Sequence, residues 1–379
     1  MRSAIRYQCS PYHRDSALWP VVQQLAVAAG FLADDPAAVK LDRLEALLAI
    51  GGGSAEALPL IASLLGIDAT ARCGPLELSP QVQRARTLAV LSEQLLGLAA
   101  REPVLVVLED AHWIDPTTLD LIEMGLDRIG SARVMMLLTS RPDGEPPLAA
   151  HPHITRLTLN RLSRPAVEAI TARVAGVRRL SAQLLAEIAS RTDGVPLFVE
   201  ELTKAVVEMS QSQQRRGTAA MSSVGDVPAT LHDSLMARLD RVPEVKRVAQ
   251  LAACIGREFD YRTLLSVADL PAAKLQSALE RLSGAELVFR CGKPPDATYT
   301  FKHALVRDAA ANSLLFSERR RVHAAILGAL ESADTQRAPE LLAQHAEAAG
   351  LEETAIERWM SAGAAAAGRY ANQEAVSHF

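Results

Sequence analysis

Val104-Leu105-Val106-Val107-Leu108 constrains the fold more than any other stretch of the sequence. It is an unbroken β-prone apolar run, bounded by Pro103 and by Glu109-Asp110. A strand with one wet face alternates apolar and polar residues. A continuous run predicts cover on both faces, as in parallel sheets flanked by helices. Asp115-Pro116 follows, with Asp suited to a helix N-cap and Pro to the first helical position. Leu119, Ile122, Leu126 and Ile129 then form an apolar stripe, and Gly130 suits the position just past the helix end. A second strand is predicted over Val134–Leu138, running into Thr139-Ser140-Arg141-Pro142. Strand, helix and strand at this spacing make a right-handed βαβ unit, so the two strands are parallel. The fold class is α/β with a parallel-sheet core.

The flanking regions extend this pattern. Ala4–Cys9 reads as a short strand. Residues 16–100 carry apolar residues at helical spacing, with Val22, Leu25 and Ala29 on one face and Leu41, Leu44, Leu47 and Leu48 on another. Gly51-Gly52-Gly53-Ser54 interrupts them. Ile154–Leu159 reads as a further strand, and helices are predicted at 163–175 and 181–191. Gln211–Asp226 is polar and reads as a linker. Helices near 228–240, 244–254 and 271–283 precede two short strands at 286–290 and 297–302, an order that suggests a winged helix. After Arg319-Arg320-Arg321 the sequence is helical and alanine-rich, with paired repeats at 338–349 and 351–367. The expected organisation is an α/β core at 1–160, a helical lid at 161–210, a linker at 211–227, a winged-helix region at 228–316 and the start of TPR-like helical repeats at 317–379.

Composition excludes several classes. The 379 residues exceed what one hydrophobic core usually organises. Forty basic and 44 acidic residues give a net charge of −4, so no global basic field favours nucleic acid. Cys9, Cys73, Cys254 and Cys291 lie far apart and form no CxxC pair, which indicates neither a zinc module nor a disulfide framework. No apolar run approaches the ~20 residues of a membrane span, and Met1–Tyr7 has no signal core. A soluble, cytoplasmic protein is expected.

Parallel sheets bind ligands beyond the carboxyl ends of their strands. Glu109-Asp110 and Thr139-Ser140-Arg141 should emerge at one such edge. Carboxylates there suit Mg²⁺, while hydroxyl and guanidinium groups suit phosphate oxygens. Read locally, other residues have plainer roles. Glu109 and Asp110 can be solvated strand-end acids, Asp115 a helix cap, Trp113 and His303 packing residues, and Gly194-Val195-Pro196 a helix stop followed by a helix start. The phosphate-cradling sequence GxxxxGK[ST] does not occur: Gly51–Gly53 has no following Lys, and Gly292-Lys293 leads into Pro294.

Several segments carry a family resemblance. Val104–Pro116 resembles the Walker B segment of STAND-class AAA+-like ATPases, and Leu137–Pro142 their sensor 1 strand. Thr192-Asp193-Gly194-Val195-Pro196-Leu197-Phe198-Val199-Glu200-Glu201-Leu202 is similar to their GxP segment, and Thr300–Asp308 to the end of their winged helix. Ser10–Leu18 also resembles this group. The closest likeness is to the ATPase module of bacterial multidomain signalling proteins, linked to adenylate or guanylate cyclase domains or to LuxR-type DNA-binding domains. The resemblance implies Mg²⁺ with ATP or ADP. Glu109 and Asp110 would be the Walker B acids and Arg141 the γ-phosphate sensor. Thr139, Gly194, Pro196 and His303 would bind nucleotide, with Pro196 against the base and His303 at the β-phosphate. The helical repeats would receive an effector or protein partner.

The family's P-loop strand and helix precede the strand at Ala4–Cys9, so an N-terminally incomplete chain is expected, poorly stable alone and weak in ATP binding. A nucleotide-dead scaffold and a winged-helix DNA-binding regulator are the alternative readings.

Overall fold

The computed structural model describes the chain except residues 1–2, 33, 145, 149–151, 177–179, 216–229, 231–232, 234–235, 237–242 and 333–337. It divides into two compact units, one of residues 1–154 with 327–379 and one of residues 155–326.

In the first unit, β1 (Ser3–Gln8), β2 (Val104–Glu109) and β3 (Val134–Leu138) form a parallel sheet in the order β1-β2-β3. Leu105 is in register with Ala4 on one side and Met135 on the other. Between β1 and β2 run α1 (Trp19–Ala28), α2 (Ala37–Ile50), α3 (Ala57–Leu64), α4 (Thr70–Cys73) and α5 (Pro80–Arg101). The crossover from β2 to β3 is α6 (Pro116–Ile129), which confirms the predicted βαβ unit. Its Ile122, Leu126 and Ile129 pack with Leu108 and Cys9. Gly130 closes the helix in a right-handed conformation, φ −56°, rather than at the left-handed position expected of it.

The sheet corrects one expectation. Val104, Val106 and Leu108 are buried, but Leu105 is 37% exposed, and its neighbours on β3, Met135 and Leu137, are 65% and 46% exposed. Among the described residues the apolar run is covered fully on one face only. A second correction concerns Ile154–Leu159, which forms no strand. Leu157 and Leu159 are 82% and 94% exposed. Alternation alone does not make a strand where no neighbouring ladder takes up the backbone groups.

The glycine run at 51–53 has a packing role. A β-carbon on Gly97 of α5 would lie 1.8 Å from the carbonyl oxygen of Gly51, so two backbones meet there with no room for a side chain. The first unit ends in α14 (Phe316–Ser332, entering this unit at Leu327), α15 (Pro339–Ala349), α16 (Glu352–Gly368) and α17 (Asn372–His378). Leu327, Ala346 and Ala355 pack with Leu342 and Trp359, and the small alanines allow close helix approach.

In the second unit, α7 (Arg164–Ala175), α8 (Ala182–Thr192) and α9 (Pro196–Arg215) surround Ile188, Phe198, Leu202 and Val206. The helix predicted near 228–240 and most of the 211–227 segment lie outside the described residues; α9 itself continues to Arg215. Then come α10 (Pro243–Ile255), β4 (Glu258–Asp260), α11 (Tyr261–Val267), α12 (Ala272–Gly284), β5 (Val288–Cys291), β6 (Thr298–Phe301) and α13 (Ala304–Asn312). The strands pair antiparallel in the order β4-β6-β5. Phe259, Tyr299 and Phe301 stack between them and the helices. No described helix is long and apolar enough to cross a membrane.

Two glycine substitutions separate packing from propensity. Gly97→Ala should destabilise by ~1–3 kcal/mol because the methyl group meets backbone. Gly125→Ala, in α6 with open space around the added carbon, should stabilise by ~0.5–1 kcal/mol. Thermal melting of the two variants checks the contrast.

Candidate functional site

In the first unit the predicted acids stand at the carboxyl edge of the sheet. Glu109 ends β2 on the side of Leu105 and Val107, with its carboxylate 3.8 Å from Arg6 Nε. Arg6 is largely solvated and Glu109 partly so, and at this separation the pair adds little stability. Asp110 adopts a left-handed conformation, φ 56° and ψ 43°. For a non-glycine residue this costs about 1–2 kcal/mol and must be held by its surroundings. Those surroundings are Gln8, whose Nε2 donates to Asp110 Oδ2 at 2.9 Å, and Thr139, whose Oγ1 accepts from the Asp110 N–H at 3.2 Å. Thr139 is fixed in turn by Thr139 N–H to Leu108 O at 3.0 Å and Ala111 N–H to Thr139 O at 2.8 Å. The structure thus brings Asp110 and Thr139 together, as predicted.

The Arg141 guanidinium lies 5.4 Å from the centre of the Trp113 ring, a cation–π contact. Trp113 therefore does more than pack: it orients the arginine that follows β3. Asp115 is the N-cap the sequence predicted, accepting from Thr118 N–H at 2.8 Å. Among the described residues no group of three or more His, Cys, Asp or Glu side chains forms a metal cage.

The second unit brings Pro196 and His303 into one cleft of about 510 Å³. Ile170, Arg173 and Val174 of α7 and Leu197 and Glu200 of α9 complete its lining. Local sequence explains how Pro196 gets there. Asp193 ends α8 at φ 46°, and Gly194 continues the turn at φ 68°. A β-carbon on Gly194 would stand 2.5 Å from Leu162 O, and Leu162 N–H donates to Gly194 O at 2.8 Å. Only glycine fits, so Gly194 shapes the turn rather than lining the cleft. Arg161 pairs with Asp193 beside it. Pro196 then opens α9.

His303 is the N-cap residue of α13. Its Nε2 is buried and has no hydrogen-bond partner. Burial, and then the neighbouring Lys302, push its pKa below the usual histidine value, with Glu201 and Glu200 opposing. Glu200 accepts from Lys204 at 2.7 Å and from Lys302 at 3.3 Å, and Glu286 pairs with the same two lysines at 2.9 and 3.4 Å. The hydrogen bond from Lys204 holds both carboxyls below their ordinary pKa.

Sequence reasoning missed Ile170, Arg173 and Val174 altogether, while Leu197, Glu200 and Lys302 lie inside segments that it singled out but received no role there. The first three share one face of α7 at helical spacing, but that face becomes meaningful only once α9 and His303 are placed against it. Arg173 forms no ion pair among the described residues, so its guanidinium is available at the cleft mouth.

No protein-family model matches the sequence. The chain is 29% identical over 307 residues to an uncharacterized protein, R02095, of Rhizobium meliloti (strain 1021). The match covers 78% of this chain and 29% of that protein, so the chain spans less than a third of its relative's length. Among solved structures it is similar to a signal transduction ATPase with numerous domains, the STAND protein PH0952 of Pyrococcus horikoshii, which has a tetratricopeptide repeat sensor. That similarity is 12% in sequence with a TM-score of 0.49, over 100% of this chain and 51% of the other.

The lowered pKa of His303 has a measurable consequence. The unfolded chain binds the proton first, so His303 costs stability as pH falls below about 6.5 toward its folded value. His303→Asn should lose less melting temperature than the unaltered chain between pH 7 and pH 5, as read by thermal melts across that range.

Proposed function

We propose that this chain is the ATP/ADP-dependent switch module of a STAND-type signalling ATPase, part of a larger regulator of the cyclase-linked or LuxR-type kind. The observation that carries the reading is the cleft in the second unit. It sets Pro196 beside His303, two residues singled out from separate sequence motifs more than a hundred positions apart. Ile170, Val174, Pro196 and Leu197 give an apolar wall that suits a nucleobase. The unpaired His303 Nε2 and the exposed Arg173 suit phosphate oxygens, and the orphaned buried nitrogen gains a partner when an anion arrives.

Mg²⁺ fits the donor set on the first unit, because this ion is commonly held by one or two carboxylates, with water and phosphate completing its shell. Glu109 and Asp110 would hold it, and when bound it would neutralise phosphate charge. Gln8 fixes the orientation of the Asp110 carboxylate, and Trp113 that of Arg141. The helices α10–α13 with the β4-β6-β5 sheet support the winged-helix reading of that region. The helical pairs α15–α17 are the surface we assign to an effector or protein partner. A nucleotide-dead scaffold is the second reading, favoured by the lack of GxxxxGK[ST] in the sequence.

Calorimetric titration of the full chain with ADP, with and without Mg²⁺, tests the proposal. His303→Ala and Pro196→Ala should each weaken ADP binding about tenfold, about 1.4 kcal/mol. Affinity should rise as pH falls from 8 to 6, because a bound anion favours the imidazolium. Asp110→Asn should weaken the binding of Mg²⁺ titrated into the chain without nucleotide. No heat of binding at millimolar ADP would establish the scaffold reading instead.

A further inference from the structure

Polar side chains of the C-terminal helices reach back to the beginning of the first unit. Glu374 of α17 is buried, and its Oε1 accepts from Thr117 N–H at 3.0 Å and from Thr117 Oγ1 at 2.6 Å. Gln344 Nε2 of α15 donates to the carbonyl oxygen of Tyr12. His378 Nε2 of α17 donates to that of Asp15 at 2.9 Å. The helices thus grip two short segments, residues 10–18 and the first turn of α6.

Those two segments border the acidic edge of the sheet. The first leaves β1 through Cys9, whose N–H donates to Glu109 O at 3.0 Å. It is braced within itself: the His13 and Trp19 rings stack with centroids 4.1 Å apart, and Ser10 Oγ accepts from Tyr12 N–H at 3.3 Å. It ends at Leu18, whose N–H donates to Asp115 Oδ1 at 2.9 Å. The second begins at Asp115 and follows directly from the 110–114 turn. Each segment is therefore tied to the Glu109-Asp110 tip, one by a hydrogen bond and one by a short turn.

The grip is mostly polar. The C-terminal helices have a core of their own, Leu327, Ala346 and Ala355 with Leu342 and Trp359. The sheet has another, which includes Leu108, Ile122, Leu126 and Ile129. Among the described residues the apolar cluster that bridges them is Ala366, Ala371 and Ala375 against Ala17. Alanine methyl groups bury little area, so this bridge contributes far less than either core. Each hydrogen bond of the seam replaces one to water and adds a modest net amount. Gln344 Oε1 and His378 Nδ1 are buried without a hydrogen-bond partner among the described residues, and both regain water when the seam opens. Two cores joined by such a seam part from one another before either melts.

We propose that helices α15–α17 are a clamp on the acidic edge of the sheet, closed by Glu374, Gln344 and His378 and able to open as a body. Closed, it holds residues 10–18 and the start of α6 beside the Glu109-Asp110 tip. Open, it releases them while the sheet and the helical pairs keep their own cores. A ligand that binds the C-terminal helices in only one of the two states shifts the balance toward that state, and with it the order of the acidic tip. Glu374 is a positioning residue in this arrangement, acting on the tip through Thr117.

Hydrogen exchange by mass spectrometry on the full chain at one pH tests the clamp. Glu374→Ala loses both hydrogen bonds from Thr117, and exchange should rise about tenfold in residues 10–18 and 110–121 as well as in 339–379. Glu374→Gln keeps an acceptor oxygen and should restore most of the protection. Gln344→Ala should raise exchange in the same two core segments, although its partner is Tyr12 and not Thr117. In every variant α2 and α3 should keep their protection. Faster exchange confined to α17 overturns the proposal, because Glu374 then serves only its own helix. Faster exchange spread over α2 and α3 overturns it too, because the C-terminal helices then share one core with the sheet. So does a Glu374→Gln chain as unprotected as Glu374→Ala, or a Gln344→Ala chain unchanged in residues 10–18 and 110–121.

Discussion

The parallel pairing of β2 between β1 and β3 is the constraint on which the first unit depends. It fixes where every acid and hydroxyl at the sheet edge can be. Because β1, β2 and β3 run the same way, Gln8, Asp110 and Thr139 leave the sheet together. Gln8 can then reach the Asp110 carboxylate and Thr139 its amide. An antiparallel neighbour would have carried one of them to the far edge. The left-handed turn at Asp110 is tolerable only because these two strands supply its partners.

In the second unit the equivalent constraint is a close backbone approach. Gly194 accepts Leu162 against itself, and the turn it allows aims Pro196 into the cleft. Beside it, the ion pairs of Glu200 and Glu286 with Lys204 and Lys302 keep charged groups satisfied near a histidine Nε2 that is not. The cleft therefore has one unmet hydrogen-bonding atom set against apolar walls. That combination is what makes it a candidate for a ligand with an anionic end rather than a packing defect.

Local signals made much of this legible in the sequence. The Asp115 cap and the turn at Gly194-Val195-Pro196 follow from residue type and spacing within a few positions, and the βαβ unit from the succession Val104–Leu138. What failed needed information from elsewhere in the chain. Val104–Leu108 predicted two covered faces, yet Leu105, Met135 and Leu137 remain exposed, because cover is a property of what packs on a strand and not of the strand. Ile154–Leu159 has a strand's alternation and no ladder to join. Glu374 gave no signal at all: a glutamate in the first turn of a helix is ordinarily solvated, and only its meeting with Thr117 shows otherwise. The lining residues of α7 were hidden for the same reason.

The titrating groups also show a pattern that single residues do not. In the first unit burial raises Asp115 and lowers His13. In the second it raises Glu258 and lowers His303 and His323, the last to about 4. Raised acids stabilise the folded chain in acid and lose that contribution as pH rises through their folded values. Lowered histidines act the other way, costing stability as pH falls below about 6.5. Each unit thus sets an acid against a histidine over the same weakly acid range, and the two slopes oppose one another. Global stability should vary less with pH than either kind of group alone would make it.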